Sequence, residues 1–391
     1  MGERRRLLSK GLKDEKRQIL WNVPRIAKWK KDNPFENWLS YRADKSEFWK
    51  FIYVLYYQLF DYLYYKGGKK YIEQALKDLS IPSESRKKVS RDMIYCLHRF
   101  GFSFQDYCIY DFVHHPSYNY RSSFVADKLR YHYCDILNNP EVEPLMTNKL
   151  TCYLEFKRFY KRDVVGCQSK KDFKEYNLFL EKHKQFIYKP LKEHSGHGIA
   201  IYKSSDINTI DFFYSSIEKG PFILEELIIQ GKETANMHPQ SINSCRVTTF
   251  TKNKDVTILG ATWRIGVGNS FTDNAGSGGI YASIDKQSSK VTTSAINYKG
   301  NQYLHHPNTG IEIKNYQLPE WEIALALIHD MARVVKGATL VSWDIAYSNK
   351  GWLMVEANDN GDWSILQSNH KKGKKSELYY LMDDYFNNKC Q

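Results

Sequence analysis

No stretch of this chain stays apolar for the roughly 20 residues that a membrane-crossing helix needs. The longest apolar run, Phe51 to Tyr65, is interrupted by Gln58 and Asp61 and reads as a buried helix. The basic start, MGERRRLLSKGLKDEKR, is followed by neither an apolar h-region nor a small-residue cleavage site, so no secretory signal is expected. Seven cysteines include no CxxC pair and leave one over in any complete pairing, which points to free buried thiols in a reducing cytoplasm. Also missing are P-loop or Rossmann spacing and a convincing Ser-His-Asp or Cys-His set. There is no recognised nucleic-acid module either, so nucleic acid is not an expected partner.

What is present suits a globular protein of two or three domains. The chain has 391 residues, and an aromatic fraction of 15% argues against disorder. A formal net charge of +13 favours anionic partners without choosing among them. Residues 1–115 read as helical, with no catalytic constellation. Lys and Arg crowd the first 31 positions, interleaved with Leu7, Leu8, Leu12, Ile19 and Leu20. That pattern suits either a solvated basic arm or a peripheral dock on an anionic membrane. An irregular stretch, 118–148, carries turn signals at Asn138-Asn139-Pro140 and Glu143-Pro144 and is expected to hold a boundary. From Asn148 to Val165 the apolar spacing predicts an amphipathic helix.

Further along, Lys189 closes a short strand, and Ser195, Gly196, His197 and Gly198 lie in a flexible loop before the next. Glycine lets backbone amides approach an anion while lysine supplies charge, so the layout fits a phosphate-covering hairpin or a plain β-turn. Gly220 to Ile229 reads as a buried strand carrying Glu225 and Glu226, and buried strands seldom keep adjacent acids without partners. Strands over 241–251, 257–265 and 279–284 carry Asn243, Arg246 and Arg264, with a polar Gly-rich loop, 270–279, between the last two.

The most informative stretch is TLVSWDIAYSNKGWLMVEANDN, residues 339–360. A three-residue loop with Gly351 in the left-handed conformation would pair Ser348 with Trp352, and Asp344 with Glu356. Asn358 shares the face of Glu356, because alternate strand residues point the same way. Two carboxylates and an amide suit Mg²⁺, a hard ion that favours oxygen ligands. They also suit a solvated sheet face.

Taken in order, these pieces resemble the ATP-grasp superfamily, most closely its sugar-transfer, polysaccharide-biosynthesis branch. The pieces are NKLTCYLEFKRF, FIYKPLKEHSGHGI, FILEEL, SINSCRV, FTDNAGSGGIYASID, HHP and SWDIAYSNKGWLMVEAN. The resemblance implies an α+β fold of two lobes gripping ATP, preceded by a helical N-terminal region. The boundaries expected are a helical region at 1–115, a linking segment at 116–185 and the grasp lobes at 186–391. By the resemblance, Lys149, Lys189 and the 195–198 loop would meet the phosphates of ATP. Glu225, Glu226 and Leu227 would line the adenine and ribose pocket, with Glu233 as a ribose-binding acid. Asp344, Glu356 and Asn358 would hold Mg²⁺. Arg246, Arg264, Asp273 and Asn274 stand as catalytic candidates, although both arginines would equally serve as ion pairs on an exposed sheet.

The chemistry so implied is acyl-phosphate formation followed by amide formation, a carboxylate–amine ligase modifying a cell-surface or capsular polysaccharide or its precursor. Its partners would be a glycan or sugar-linked acceptor and a small carboxylate or amine, met in the cytoplasm or at the inner face of the membrane. A kinase acting on a sugar or polyol hydroxyl, and a non-catalytic nucleotide-binding scaffold, remain alternatives.

Overall fold

The computed structural model describes residues 34–60, 62–191 and 198–387. The basic arm before residue 34 and the candidates Ser195, Gly196 and His197 lie outside those residues. Among the described residues seven helices come first: α1 (Pro34–Ala43), α2 (Glu47–Phe60), α3 (Tyr62–Asp78), α4 (Arg86–Phe100), α5 (Phe104–Ile109), α6 (Tyr118–Ser122) and α7 (Asp127–Leu137). They share one core, to which Phe250, Leu340, Trp363, Leu378 and Phe386 also belong. The helical region thus runs on to Leu137, through most of the stretch expected to be irregular. Within the run expected as one buried helix, Phe51, Leu55 and Leu59 are exposed.

Next come α8 (Val142–Thr147) and α9 (Lys149–Tyr160). The Asn148 carboxamide oxygen accepts from Leu150 N (3.0 Å) and Thr151 N (3.2 Å), fixing where α9 starts. The helix stops at Tyr160 and not at Val165, because Lys161 turns left-handed at φ +47° and Val164 already opens a strand.

That strand, β1 (Val164–Cys167), begins a four-stranded antiparallel sheet with β2 (Gln185–Pro190), β3 (Ala200–Lys203) and β4 (Phe222–Glu226), ordered β1-β4-β2-β3. The small lobe therefore reaches back to Val164, upstream of the expected start at 186. Helices α10 (Phe173–Lys182) and α11 (Thr209–Lys219) cover one face, where Tyr176, Phe179 and Phe213 meet Phe186, Phe222 and Leu224. Alternation leaves Lys189 and Glu225 on the other face.

After the one-turn helix α12 (Lys232–Ala235) comes a seven-stranded sheet of β5 (Cys245–Lys252), β6 (Asp255–Ile265), β7 (Ile280–Ile284), β8 (Ala295–Ile296), β9 (Gln302–Tyr303), β10 (Leu340–Ser348) and β11 (Gly351–Asn358). Its order is β11-β10-β5-β6-β7-β8-β9, and every paired neighbour is antiparallel. Helix α13 (Trp321–Ala332) and α9 pack on one face, against Val247, Trp263, Trp343, Ile345 and Met354. Trp343 meets Phe156 edge-on at 5.5 Å and donates to Thr249 Oγ1 at 2.9 Å. Losing a buried ring of this kind costs about 3–5 kcal/mol. The short helix α14 (Ser364–Ser368) supplies Gln367, fully buried, whose amide exchanges hydrogen bonds with the Val125 backbone and ties the large lobe to the helical region. Helix α15 (Lys375–Asn387) returns to the first core.

Candidate active site

Strand alternation sends the polar residues of SCRVT, TWRI, SWDI and EAN to the face opposite α9 and α13. Register then sets them in rows. Glu356 pairs with Asp344, Asp344 with Arg246 and Arg246 with Thr262. One row over, Asn358 pairs with Ser342 and Ser342 with Thr248. The expected Asp344–Glu356 pairing is present, reached by a different turn. Ser348 pairs with Gly351 and not with Trp352, and a β-bulge at Val355 restores the register one residue before Glu356. Gly351 has φ +76°, the left-handed turn residue expected.

Arg246 grips Asp344 with both ends of its fork, Nε to Oδ1 at 2.8 Å and Nη2 to Oδ2 at 2.7 Å. Arg264 Nη2 lies 3.1 Å from Asp344 Oδ2 and donates to Ser244 Oγ at 2.7 Å. Asp273 accepts from Ser244 N (2.7 Å) and Oγ (2.6 Å), and its second oxygen is 3.6 Å from Arg264. Gly279 allows that loop to close, since a Cβ there would stand 2.4 Å from the Asp273 carbonyl. Asn274 does not join the network: its side chain caps the turn at 275–277 by accepting from Gly276 N.

Asp344 is fully buried, and despite that burial the two guanidiniums hold its carboxyl well below the usual range. Glu356 goes the other way. Desolvation and the charge of Asp344 push its carboxyl up, and the two acids share a hydrogen bond. Yet the Glu356 side chain is exposed. Asn358 Nδ2 is buried with no hydrogen-bond partner. An amide turned end for end presents its oxygen at that point. A surplus acid, a buried ionised acid and an unsatisfied amide are a donor set that fits a hard divalent cation.

Across the molecule, Lys189 Nζ is 2.7 Å from Glu225 Oε1, while Arg162 donates Nε and Nη2 to Oε2 at 2.9 and 2.7 Å. Arg162 also donates to the carbonyls of Met354 (2.5 Å) and Val355 (3.2 Å), so the bulge that aims Glu356 also anchors the small sheet. Lys149 donates to the Pro190 carbonyl at 3.0 Å and so stands with Lys189 at the end of β2, where Gly198 returns the chain. Glu226 is turned away, held by Lys350 (2.9 Å) and Asp163 N (2.9 Å). Between Glu226, Leu227 and residues 348–350 is a cavity of about 20 Å³, water-sized and not open to an adenine ring. Glu233 is exposed on α12 near Tyr347. A cavity of about 870 Å³ beside Tyr188, Tyr202 and Phe212 opens on the helix-covered side of the small sheet, away from Lys189.

Sequence reasoning missed four residues. Arg162 was placed on a helix face, Ser244 went unremarked, and Asp362 and Tyr298 bond to each other with Asp362 acting on Arg246. For Asp362 the acidic and amide run after Glu356 was a signal; for Tyr298 there was none. His238 and His306, near motif loops, bond to the Gly268 and Gly266 carbonyls (3.0 and 2.8 Å) as structural staples. The cluster Asp163, His183 and Glu226 is already neutralised by Lys182 and Lys350.

Residues 128–380 match the family described as sugar-transfer associated ATP-grasp. Among curated proteins none matches the chain. Solved structures similar to it include the D-alanyl-alanine synthetase A from Vibrio cholerae O1 biovar eltor str. N16961, at 11% identity and TM-score 0.41, covering 66% of this chain and 72% of that one. The D-alanine-D-alanine ligase from Coxiella burnetii is 8% identical at TM-score 0.42, covering 67% and 65%. The ATP-grasp ligase PsnB, complexed with a phosphomimetic variant of its minimal precursor, Mg and ADP, is 10% identical at TM-score 0.40, covering 66% and 67%. Likenesses this distant bear on neither substrate nor residue roles.

Proposed function

The chain belongs to the sugar-transfer associated ATP-grasp family, and from that premise we propose an ATP- and Mg²⁺-dependent carboxylate–amine ligase that modifies a cell-surface or capsular polysaccharide or its precursor. The observation that carries this is the surplus acid of the large sheet: Arg246 and Arg264 face Asp344, Asp273 and the exposed Glu356, three carboxylates for two guanidiniums. Asp344, Glu356 and Asn358 would hold Mg²⁺, which when bound neutralises phosphate oxygens. Arg246 and Arg264 bring positive charge to where a transferring phosphoryl group gathers negative charge. Lys149 and Lys189, which otherwise hold the Pro190 carbonyl and Glu225, would turn to the phosphates at the end of β2. A substrate carboxylate oxygen attacks the γ-phosphorus, the bond to the β,γ-bridging oxygen breaks, and ADP leaves with that electron pair. An amine nitrogen then attacks the acyl carbon, the carbon–oxygen bond to phosphate breaks, and the nitrogen loses a proton, giving amide and free phosphate.

Purified protein given ATP, Mg²⁺ and oligosaccharides bearing uronic acids or amino sugars tests this, with ³¹P NMR as readout. Free phosphate appearing with ADP only when acid and amine are both present is the expected result. A phosphomonoester on the sugar would make the enzyme a kinase. ATP binding without ADP release in any mixture would make it a scaffold.

A further inference from the structure

Helix α2 exposes Phe48, Phe51, Leu55 and Leu59 at helical spacing, on the side away from its core residues Tyr53, Val54 and Tyr57. Leu59 is 78% exposed and Phe48 64%, well beyond single scattered apolar residues. The stripe continues onto α1. Trp38 lies edge-on to Trp49 at 5.1 Å, Trp49 meets Phe48 at 5.6 Å, and Phe35, itself exposed, stacks on Trp38 at 5.8 Å. Three cations rim it: Arg42 lies over the Trp38 ring at 5.4 Å, Lys45 over Tyr41 at 4.0 Å and Arg91 over Phe51 at 4.8 Å. None of the three has a carboxylate at ion-pair distance among the described residues.

We infer that this face of α1 and α2 docks on an anionic lipid surface, with the α2 stripe in the acyl boundary and Arg42, Lys45 and Arg91 among the headgroups. Apolar side chains beneath unpaired cations are the composition of a helix lying in a membrane interface, and Trp and Tyr prefer that depth. Charge selects this occupant. A second copy of the chain would bring the same three cations against themselves. Residues 1–33 carry eleven Lys and Arg against four Asp and Glu, so that segment repels the rim and adds to attraction toward anionic lipid. Leu55 and Leu59 offer no ring for a nucleobase to stack on.

The test is sedimentation of the full chain with vesicles of phosphatidylcholine alone or mixed with phosphatidylglycerol, at low and high salt. The expected result is pelleting with the mixed vesicles that weakens with salt. The double variant Phe48→Ser/Leu59→Ser should lower partitioning about tenfold or more, since each buried large apolar side chain is worth at least that factor. Arg42→Gln/Lys45→Gln/Arg91→Gln should flatten the salt dependence. Four of the five positions are exposed and Arg91 is half-buried, so unchanged thermal unfolding checks that the variants fold. Equal pelleting of wild type and the apolar variant, or equal pelleting with neutral vesicles, overturns the inference. So does a dimer by light scattering that the apolar variant dissolves, or vesicle binding that appears only after residues 1–33 are removed. Because binding and not turnover is read, the outcome is independent of the ligase proposal.

Discussion

Glu225 in the small sheet and Asp344 in the large one are both buried strand carboxylates held between two cations, and the difference lies in what surrounds the trio. At Glu225, Lys189 and Arg162 take both oxygens and hold the carboxyl down to about 2, while the spare donors of Arg162 are spent on backbone carbonyls. The cluster is closed and joins the two sheets. At Asp344 the two arginines are matched in the same way, but a second acid, Glu356, faces it with its own carboxyl pushed up and exposed. A buried ion pair whose groups are all satisfied is a fastener, whereas the same pair with one acid too many is a receptor for positive charge.

The largest way to break that contrast is Arg162→Met. It strands Glu225 with Lys189 alone and leaves the Met354 and Val355 carbonyls without this donor, so stability to chemical denaturation should fall by about 3–5 kcal/mol. A fall under about 1 kcal/mol would mean that the small-sheet cluster fastens nothing.

Glu356→Gln, at the other cluster, should do the reverse: turnover falls at least about 100-fold, since a charge needed by the divalent ion is gone. Metal-free stability should hold or rise, because two facing carboxylates no longer repel. Unchanged turnover, with an unchanged thermal shift on adding Mg²⁺ and ATP, would reduce the hairpin to a polar sheet face.

Titration sharpens the difference further. The carboxyl of folded Glu356 is raised above its ordinary 4.5, so the folded state holds a proton that the unfolded chain has released. Metal-free stability should therefore fall as pH climbs through that raised range, and the Gln variant should not show the slope. Asp344, held low, contributes stability above about 3.8 that disappears only in strong acid. Mg²⁺ must displace the Glu356 proton, so its protection in thermal melts should grow with pH over the same window. The smallest effect is expected of Lys189→Ala: about tenfold in nucleotide affinity by calorimetry, with less stability lost than for Arg162→Met because Arg162 still pairs with Glu225.

How far this was legible in the sequence follows from the range of each interaction. Alternation in β10 and β11 was enough to set Asp344, Glu356 and Asn358 on one face, whereas Arg246 and Arg264 were legible only as strand residues, their catalytic candidacy coming from the resemblance. The Asp344–Glu356 register was anticipated through a turn that the chain does not make: one residue fewer at Gly351 and one extra at Val355 cancel. Arg162 was unreadable because helical spacing continues past Tyr160, while the left-handed Lys161 breaks the helix. Tyr298 and Asp362 come from loops 64 residues apart in the chain, brought together by packing that no local pattern encodes. That α7 joins the first core, past the boundary expected near 115, likewise rests on contacts with distant residues.

The return of α15 to that first core has a consequence for synthesis. Tyr133 on α7 meets the Tyr379 hydroxyl at 2.7 Å, and Leu378, Met382 and Phe386 fill space between helices made far earlier. The ribosome finishes Leu137 about 240 residues before it reaches this helix. At about 5–20 residues per second, the opening helices wait on the order of 10–50 s with an apolar flank uncovered. Helices α1 to α7, made well before α15, are thus completed only when that late helix arrives.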